Sequence, residues 1–299
     1  MKYILLGGNG YYGRNFQFYL MNEGQKVIVV DKDIPFNNNG TKYYKYNLTQ
    51  DVLPLFRMIS ENEEFSENVR IINFAAMSFV DDSISNPNEC INNNTKCLDT
   101  AMKLYTLISE KTYCELIHIS TDEVNVVKPD KNKSPYVKSK LICEDMLLNS
   151  SGIEYKILRP VNLMGYCFNK KIPALRQKNE CLLKKIICKP DIIYIHGSGT
   201  QRRMFMTMTD ACEVLFNLFK FNSNSRIIDI TDYKFRKYRT LNLQIKDIVI
   251  YLSKYYGFKY EYVEDPRGVF QDFSYSFEDE KEIDKMEIEH DLEKIKLAL

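Results

Sequence analysis

The sequence predicts an α/β fold, a doubly wound parallel sheet with a smaller C-terminal lobe. Three observations predict it. Short apolar, β-branched runs alternate with longer segments of helical period over the first 160 residues or so, the pattern of a parallel sheet covered by helices. The first run ends in a glycine cluster that opens a helix, and the second run ends in an acid. A later run, 115–119, ends in Ser120-Thr121-Asp122-Glu123, which puts proton-handling side chains beyond a strand end, where open α/β sheets hold their ligands.

The elements follow in order. Residues 3–6 read as the first strand. Gly7-Gly8-Asn9-Gly10-Tyr11-Tyr12-Gly13 holds four of the chain's 12 glycines in seven positions. Small residues there let the backbone turn tightly and approach a pyrophosphate at the positive end of the next helix. That helix spans about 12–23 and stops at Gly24. A plain strand–helix turn competes with this reading until the second strand, 26–30, is seen to end in Asp31. An acid there can accept from both hydroxyls of an adenosine ribose. Together the two features predict a Rossmann-like domain. The acid favours NAD over NADP, tempered by Lys32 beside it.

Residues 37–50 are polar and turn-rich, 51–60 helical, and 61–68 an acidic, solvated stretch. Residues 69–74 read as a buried strand followed by Ala75-Ala76, small enough to lie against a cofactor or simply to pack tightly. Helices at 88–110 and 136–149 alternate with strands at 115–119 and 153–158. Beyond Arg159-Pro160, residues 162–180 are irregular and basic. They suit either a loop closing over phosphates or a solvated surface loop. A helix near 174–188, a strand at 192–195, a Gly197-Ser198-Gly199 turn and a helix at 209–221 come next. A strand at 226–230 returns to the main sheet. Helices near 243–256 and 278–297 close the chain. The expected division is a cofactor domain of 1–162 with a return segment near 209–232, and a smaller substrate-binding lobe of 163–299.

The totals exclude several classes. A chain of 299 residues with 41 basic and 40 acidic side chains has almost no net charge, which points away from nucleic acid and anionic membranes. No apolar run is long enough to span a bilayer. The 8 cysteines form no C-x-x-C pair and read as reduced thiols of a cytoplasmic protein, and 3 scattered histidines offer no metal site.

The acid–base reading centres on Tyr136-x-x-x-Lys140. Residues four apart share a helix face, and an ammonium beside a phenol favours the phenolate, making tyrosine a usable base. The spacing recurs at Tyr166, Tyr233 and Tyr255 in a chain with 21 tyrosines. Only the Tyr136 copy follows the Thr-Asp-Glu strand end and starts a helix, so context selects it.

Gly7-x-x-Gly10-x-x-Gly13, Asn73-Phe74-Ala75-Ala76, Ser120-Thr121-Asp122-Glu123-Val124 and Ser134-Pro135-Tyr136-x-x-x-Lys140 together resemble the extended short-chain dehydrogenase/reductase family. The Thr-Asp-Glu triplet resembles its nucleotide-sugar 4,6-dehydratases. Ser78-Phe79-Val80-Asp81, Asn94, Asn162 and Gln201-Arg202-Arg203 leading to Asp210 extend the likeness over nearly the whole chain. The Asn-, Lys-, Ile- and Tyr-rich, Ala-poor composition suggests an AT-rich genome. It resembles giant-virus members of this kind, including those acting on UDP-N-acetylglucosamine.

The resemblance implies NAD bound by Gly7, Gly10, Tyr11, Tyr12, Gly13, Asp31, Lys32, Asn47, Leu48, Phe74, Ala75, Ala76, Asn94, Tyr136 and Lys140. It implies Thr121, Asp122, Glu123, Tyr136 and Lys140 as the catalytic set, and Ser78, Asn162, Lys170 and Arg203 on a nucleotide-diphosphate sugar. Tyr136, held by Thr121 and Lys140, would take the C4 hydroxyl proton. Glu123 would remove the C5 proton and Asp122 would protonate the departing C6 hydroxyl. A homodimer paired through the 88–110 and 136–149 helices, working in the cytoplasm (the host's, for a viral protein), is also implied. A 4-epimerase, which needs the tyrosine but not the Asp/Glu pair, is the first rival. A non-enzymatic NAD-binding protein is the second. The chain departs from the pattern at Asn125-Val126 for Tyr-Gly, Phe79 for a histidine, Asn47 for an acid, Arg267-Gly268-Val269 for Pro-Gly-His, and in a shorter segment between Glu123 and Tyr136. The departures at 79 and 125–126 touch the sugar pocket and leave the sugar and base open.

Overall fold

The computed structural model describes residues 1–33, 41–126, 133–167, 192–220, 225–230 and 241–264. Its central sheet is built from β1 (Lys2–Leu6), β2 (Lys26–Asp31), β3 (Lys42–Lys45), β4 (Val69–Asn73), β5 (Cys114–Ile119), β6 (Tyr155–Arg159) and β10 (Ile227–Asp229). They lie in the order β10-β6-β5-β4-β1-β2-β3, and every pairing is parallel. Period-two alternation assigns the two faces. Leu5, Val29, Ile72, Ile117 and Leu158 point to one side, where they meet Phe16 and Leu20 of α1 (Tyr11–Asn22) and Met208, Ala211 and Leu215 of α6 (Met208–Phe216). Ile4, Ile28, Ile71, Leu116 and Ile157 point to the other. There they meet α2 (Val52–Ser60), α4 (Pro87–Ser109) and α5 (Pro135–Leu148). Side chains such as Phe16, Ile4 and Ile71 are fully buried, each worth about 1.5–3 kcal/mol relative to exposure.

The chain winds from β1 outward through β2 and β3, then crosses back to β4. The crevice at the carboxyl ends of β1 and β4 is therefore the topological switch point, the general ligand position of such sheets. The return strand joins beside β6, with Ile227 opposite Ile157.

The remaining strands form two small sheets. β11 (Leu241–Gln244), β9 (Arg202–Thr207) and β7 (Asn162–Met164) make one; β12 (Lys259–Val263) and β8 (Ile192–His196) make the other. Phe205, Leu241, Leu243 and Ile195 pack under Ile248, Val249 and Leu252 of α7 (Ile245–Tyr256). Gly197 and Gly199 both take positive φ in the turn between β8 and β9.

Several expectations need correction. The polar 37–50 stretch contains β3, whose Lys-Tyr-Tyr-Lys sequence lacks an apolar signature because it is the edge strand of the sheet. The acidic 61–68 stretch is not simply solvated. Glu63 lies between Lys2, 3.0 Å away, and Lys42, 2.7 Å away, with its side chain only 8% exposed. A short helix, α3 (Val80–Ser85), precedes α4. β7, at the start of the stretch expected to be irregular, and β9, β11 and β12 fall where no strand was expected. The helices expected near 174–188 and 278–297, Lys170 and Arg267-Gly268-Val269 lie outside the described residues. So do the Tyr233 copy and residues 127–132 of the segment between Glu123 and Tyr136.

Candidate active site

The glycine loop joins β1 to α1 with no room for a side chain at Gly7, Gly8 or Gly13. Gly7 has φ +70°, and a Cβ there would lie 2.6 Å from the Ala75 backbone; one at Gly13 would lie 2.7 Å from the Gly8 Cα. The loop is pinned to the end of β2. The Asp31 carboxylate accepts from the Asn9 backbone N–H at 3.0 Å and from Asp33 N–H at 3.2 Å. The Asn9 side-chain amide donates to the Asp33 carbonyl at 2.5 Å. Asn9 was not singled out from the sequence, although an Asn inside a glycine loop is a recognisable turn-stabilising residue.

A cavity of about 690 Å³ runs from this loop across the carboxyl edge of the sheet. Its wall includes Gly7, Gly10, Tyr11, Tyr12, Gly13, Asp31, Lys32, Asn47, Leu48, Phe74, Ala75, Ala76, Ser78, Thr121, Asp122, Glu123, Tyr136, Lys140, Asn162 and Arg203. The fold thus brings together every described residue of the predicted set except Asn94. Asn94 is 1% exposed and sits behind the wall. It accepts from Met77 N–H at 2.6 Å and donates to Ser139 Oγ at 2.8 Å. It therefore ties the loop after β4 to α5 rather than facing the cavity. Tyr46, Cys97, Phe79 and Phe205 also line the cavity; no residue pattern marked Tyr46, Cys97 or Phe205.

At the far end, β5 gives way to a single 3₁₀ turn, Asp122–Asn125. The Thr121 hydroxyl caps it by accepting from Glu123 N–H at 3.4 Å, and Asp122 N–H donates to the Pro160 carbonyl at 3.1 Å. Across from the turn, Ser134 caps α5, with Pro135 in its first turn, so Tyr136 and Lys140 enter the cavity on one helix face. Lys140 is buried, and its ammonium donates to the Ile119 carbonyl at 2.7 Å. It lies 5.8 Å from the Tyr136 ring centre.

The electrostatics correct one expectation. Tyr136 is raised above the ordinary phenol range, first by burial and next by the Glu123 carboxylate. A hydrogen bond with Thr121 pulls it down, and Asp122 adds to the upward push. The lysine does not produce the lowering inferred from its spacing. Lys140 is itself lowered by burial, partly offset by Cys143, Cys90 and Cys97. The physical reason is that burial beside two carboxylates favours the neutral phenol. His118, behind Lys140, is held well down by burial and by that lysine, and it contacts Asn73 Nδ2 at 3.3 Å.

Behind the turn lies a second polar layer. Glu144, one helical turn beyond Lys140, accepts from Ser120 Oγ at 2.5 Å and from Arg159 Nε and Nη2 at 3.0 and 2.5 Å. Arg159 Nη1 reaches Asn125 Oδ1 at 2.8 Å and Asp229 Oδ2 at 3.3 Å, and Asn125 Nδ2 donates to Asp229 Oδ1 at 2.6 Å. Burial opposes the Arg159 charge, but Glu144 and Asp229 hold it firmly protonated.

The parallel sheet, the side-chain-free cradle at Gly7 and the acid ending β2 fit a dinucleotide, and the acid–base cluster lies in the same cavity. The class defined is a dinucleotide-dependent enzyme. The chain belongs to the NAD dependent epimerase/dehydratase family, whose profile matches residues 3–230, and its cofactor is NAD. The proteins it resembles include both 4,6-dehydratases and 4-epimerases. A probable dTDP-glucose 4,6-dehydratase of Sinorhizobium fredii is 28% identical over 243 residues, 72% of this chain and 67% of that protein. A UDP-glucose 4-epimerase of Streptococcus mutans is 28% identical over 182 residues, 55% of this chain and 53% of that protein. A crystal structure of UDP-glucose 4-epimerase superposes with a TM-score of 0.71 at 21% identity, covering 89% of this chain and 85% of that one. That likeness concerns the fold. Among the described residues, no helix is long and apolar enough to cross a membrane.

Proposed function

We propose that this protein is a nucleotide-sugar 4,6-dehydratase, converting a nucleotide-diphosphate hexose to its 4-keto-6-deoxy form. The observation that carries the reading is the adjacent Asp122-Glu123 pair on the cavity wall with Thr121, Tyr136 and Lys140. A 4-epimerase needs a single proton-transferring tyrosine and has no use for two more carboxyl groups. When bound, NAD supplies the hydride acceptor at C4 and the donor at C6. Tyr136 takes the C4 hydroxyl proton, with Thr121 on its phenol and the Lys140 charge beside it. The resulting ketone acidifies C5. Glu123 removes the C5 proton while Asp122 protonates the leaving C6 hydroxyl. Two neighbouring carboxyl groups can serve as base and acid only if their surroundings separate them. Asp122 is 4% exposed and Glu123 more so, which suits Asp122 to the protonated role.

Arg203, buried on the wall at 6% exposure, and Asn162 hold the diphosphate. The cofactor is held by the domain of 1–162, to whose sheet the return segment near 209–232 adds, and the lobe beyond helps to hold the sugar nucleotide. UDP-N-acetylglucosamine is narrowly favoured over UDP-glucose and dTDP-glucose, on the composition shared with giant-virus proteins. The six cysteines among the described residues are free thiols, as suits a reducing cytoplasm. Incubation with a panel of nucleotide sugars, with products identified by NMR, tests the reading. A 4-keto-6-deoxy product supports it. A C4 epimer alone replaces it with the epimerase reading, which relatives such as the Streptococcus mutans enzyme favour.

A further inference from the structure

Three polar groups from three separate elements close a ring behind the 3₁₀ turn. Asn125 is the last residue of the turn, Arg159 the last of β6 and Asp229 the last of β10. Each atom in the ring has a defined role. The asparagine carbonyl accepts from Arg159 at 2.8 Å, its amide donates to Asp229 at 2.6 Å, and the second Asp229 oxygen accepts from Arg159 at 3.3 Å. The remaining edge of the guanidinium is forked onto Glu144, a residue of the helix that carries Tyr136 and Lys140. Glu144 also holds Ser120, two residues before the turn. One guanidinium therefore contacts the end of the turn directly, its beginning through Glu144 and Ser120, and the Tyr136 helix.

We propose that Asn125 and Asp229 are positioning residues that hold the Asp122-Glu123 turn in register with Tyr136. The assignment rests on the dehydratase reading for its chemical consequence, but not for the clamp itself. Neither residue lines the cavity, so neither touches the reacting atoms; the expectation that 125–126 reaches the sugar pocket is corrected, because the end of the turn faces Arg159 and Asp229 instead. Asp122 N–H ties the start of the turn to the Pro160 carbonyl, and the ring ties its end. A shift of about 1 Å in a catalytic group costs up to about 100-fold in rate. Asn125 carries no charge, so the Arg159–Asp229 attraction alone, between side chains 14% and 22% exposed, does not fix the end of the turn. The ring acts by geometry, since it needs one carboxylate, one amide and one guanidinium in fixed order.

The test is a double-mutant cycle. Asn125→Asp sets two carboxylates against each other. Asp229→Asn leaves two amides. The pair N125D/D229N exchanges carboxylate and amide and can rebuild the ring. Two readouts are taken on the full chain with its bound cofactor. The first is hydrogen exchange at the amides of 122–126, which needs no substrate. We expect faster exchange in each single variant and recovery in the pair. The second is turnover with the nucleotide sugar that the wild type converts. We expect dehydration to fall by about 10- to 100-fold in the single variants, with KM unchanged and reduced cofactor accumulating because the Tyr136 step is spared, and recovery in the pair. Unchanged exchange in both single variants overturns the clamp. Faster exchange with recovery, together with an undiminished dehydration rate, overturns the positioning role. Faster exchange with recovery in a protein whose wild type dehydrates no nucleotide sugar leaves the clamp standing and refutes the dehydratase reading instead. A general loss of fold would spread exchange through β5 and β6 and would not be rescued by the pair; that result also overturns the proposal.

Discussion

At the scale of single residues, Glu123 and Tyr136 are coupled, and removing one charge should change both. In Glu123→Gln the C4 oxidation by Tyr136 remains possible but the C5 proton has no acceptor. Product formation should fall by about 100- to 10,000-fold, the usual cost of losing acid–base help, while enzyme-bound reduced nicotinamide accumulates and is read by its absorbance. Tyr136→Phe should give neither signal nor product. The sign of the pH dependence follows from burial and from Glu123, which both hold the phenol protonated. The phenolate fraction grows as pH rises, so cofactor reduction should accelerate with pH in the wild type. In Glu123→Gln one of the upward influences is gone, and that rising limb should move to lower pH; pre-steady-state reduction measured across pH checks it. Arg203 offers a guanidinium that can fork two phosphate oxygens. Loss of such charge-assisted bonds costs about 1.5–3 kcal/mol each, so Arg203→Ala should raise KM by about 10- to 100-fold and leave cofactor retention intact.

At the scale of elements, the β2 end and the glycine loop behave as one unit through Asp31. The purified protein should carry NAD(H), because a cofactor that lends and recovers hydride need not leave. Asp31→Ala removes the ribose acceptor and also the anchors of the Asn9 and Asp33 amides. The nucleotide released on denaturation should therefore drop sharply in the variant, and finding NADP in the wild type would contradict the role given to Asp31. The α4 and α5 helices pack against each other, and Ile142 and Leu148 remain 40% and 44% exposed. Leu98 and Leu147, on the same two helices, are fully buried in the core. We expect a two-fold homodimer through the remaining apolar face, read as dimer mass by light scattering at micromolar concentration. Elements were legible where period and burial agree, as in β1, β2, β4 and β5. They were illegible where the strand is an edge, as with the Lys-Tyr-Tyr-Lys of β3, or opens on charge, as with Arg202-Arg203 in β9. The alternating Lys-Tyr-Glu-Tyr-Val of β12 carried a period-two signal that passed unread.

At the scale of the whole molecule, much of the cavity was readable because the glycine loop, Asp31, Phe74-Ala75-Ala76 and Thr121-Asp122-Glu123 sit at or just beyond strand ends, where sequence position and spatial position coincide. What could not be read is whatever depends on distant segments meeting. Asn94 matches a motif position but faces Met77 and Ser139. The Arg159–Asp229 contact spans elements far apart in the chain. Neither the burial of Tyr136 nor its closeness to Glu123 follows from the spacing to Lys140.

The late return of β10 has a consequence for the order in which a ribosome delivers the parts. The six strands that build the cofactor cradle have all been synthesised once residue 159 has been added, whereas β10 follows only at 227–229. Until then β6 presents an open edge, the kind of surface on which strands pair wrongly, and the distant pairing that closes it is slow to form. A growing chain therefore has a complete place for the nucleotide well before Asp229 arrives to fix the acid–base turn. Early capture of the cofactor would hold the unfinished sheet together through the interval in which it is most exposed to misassembly.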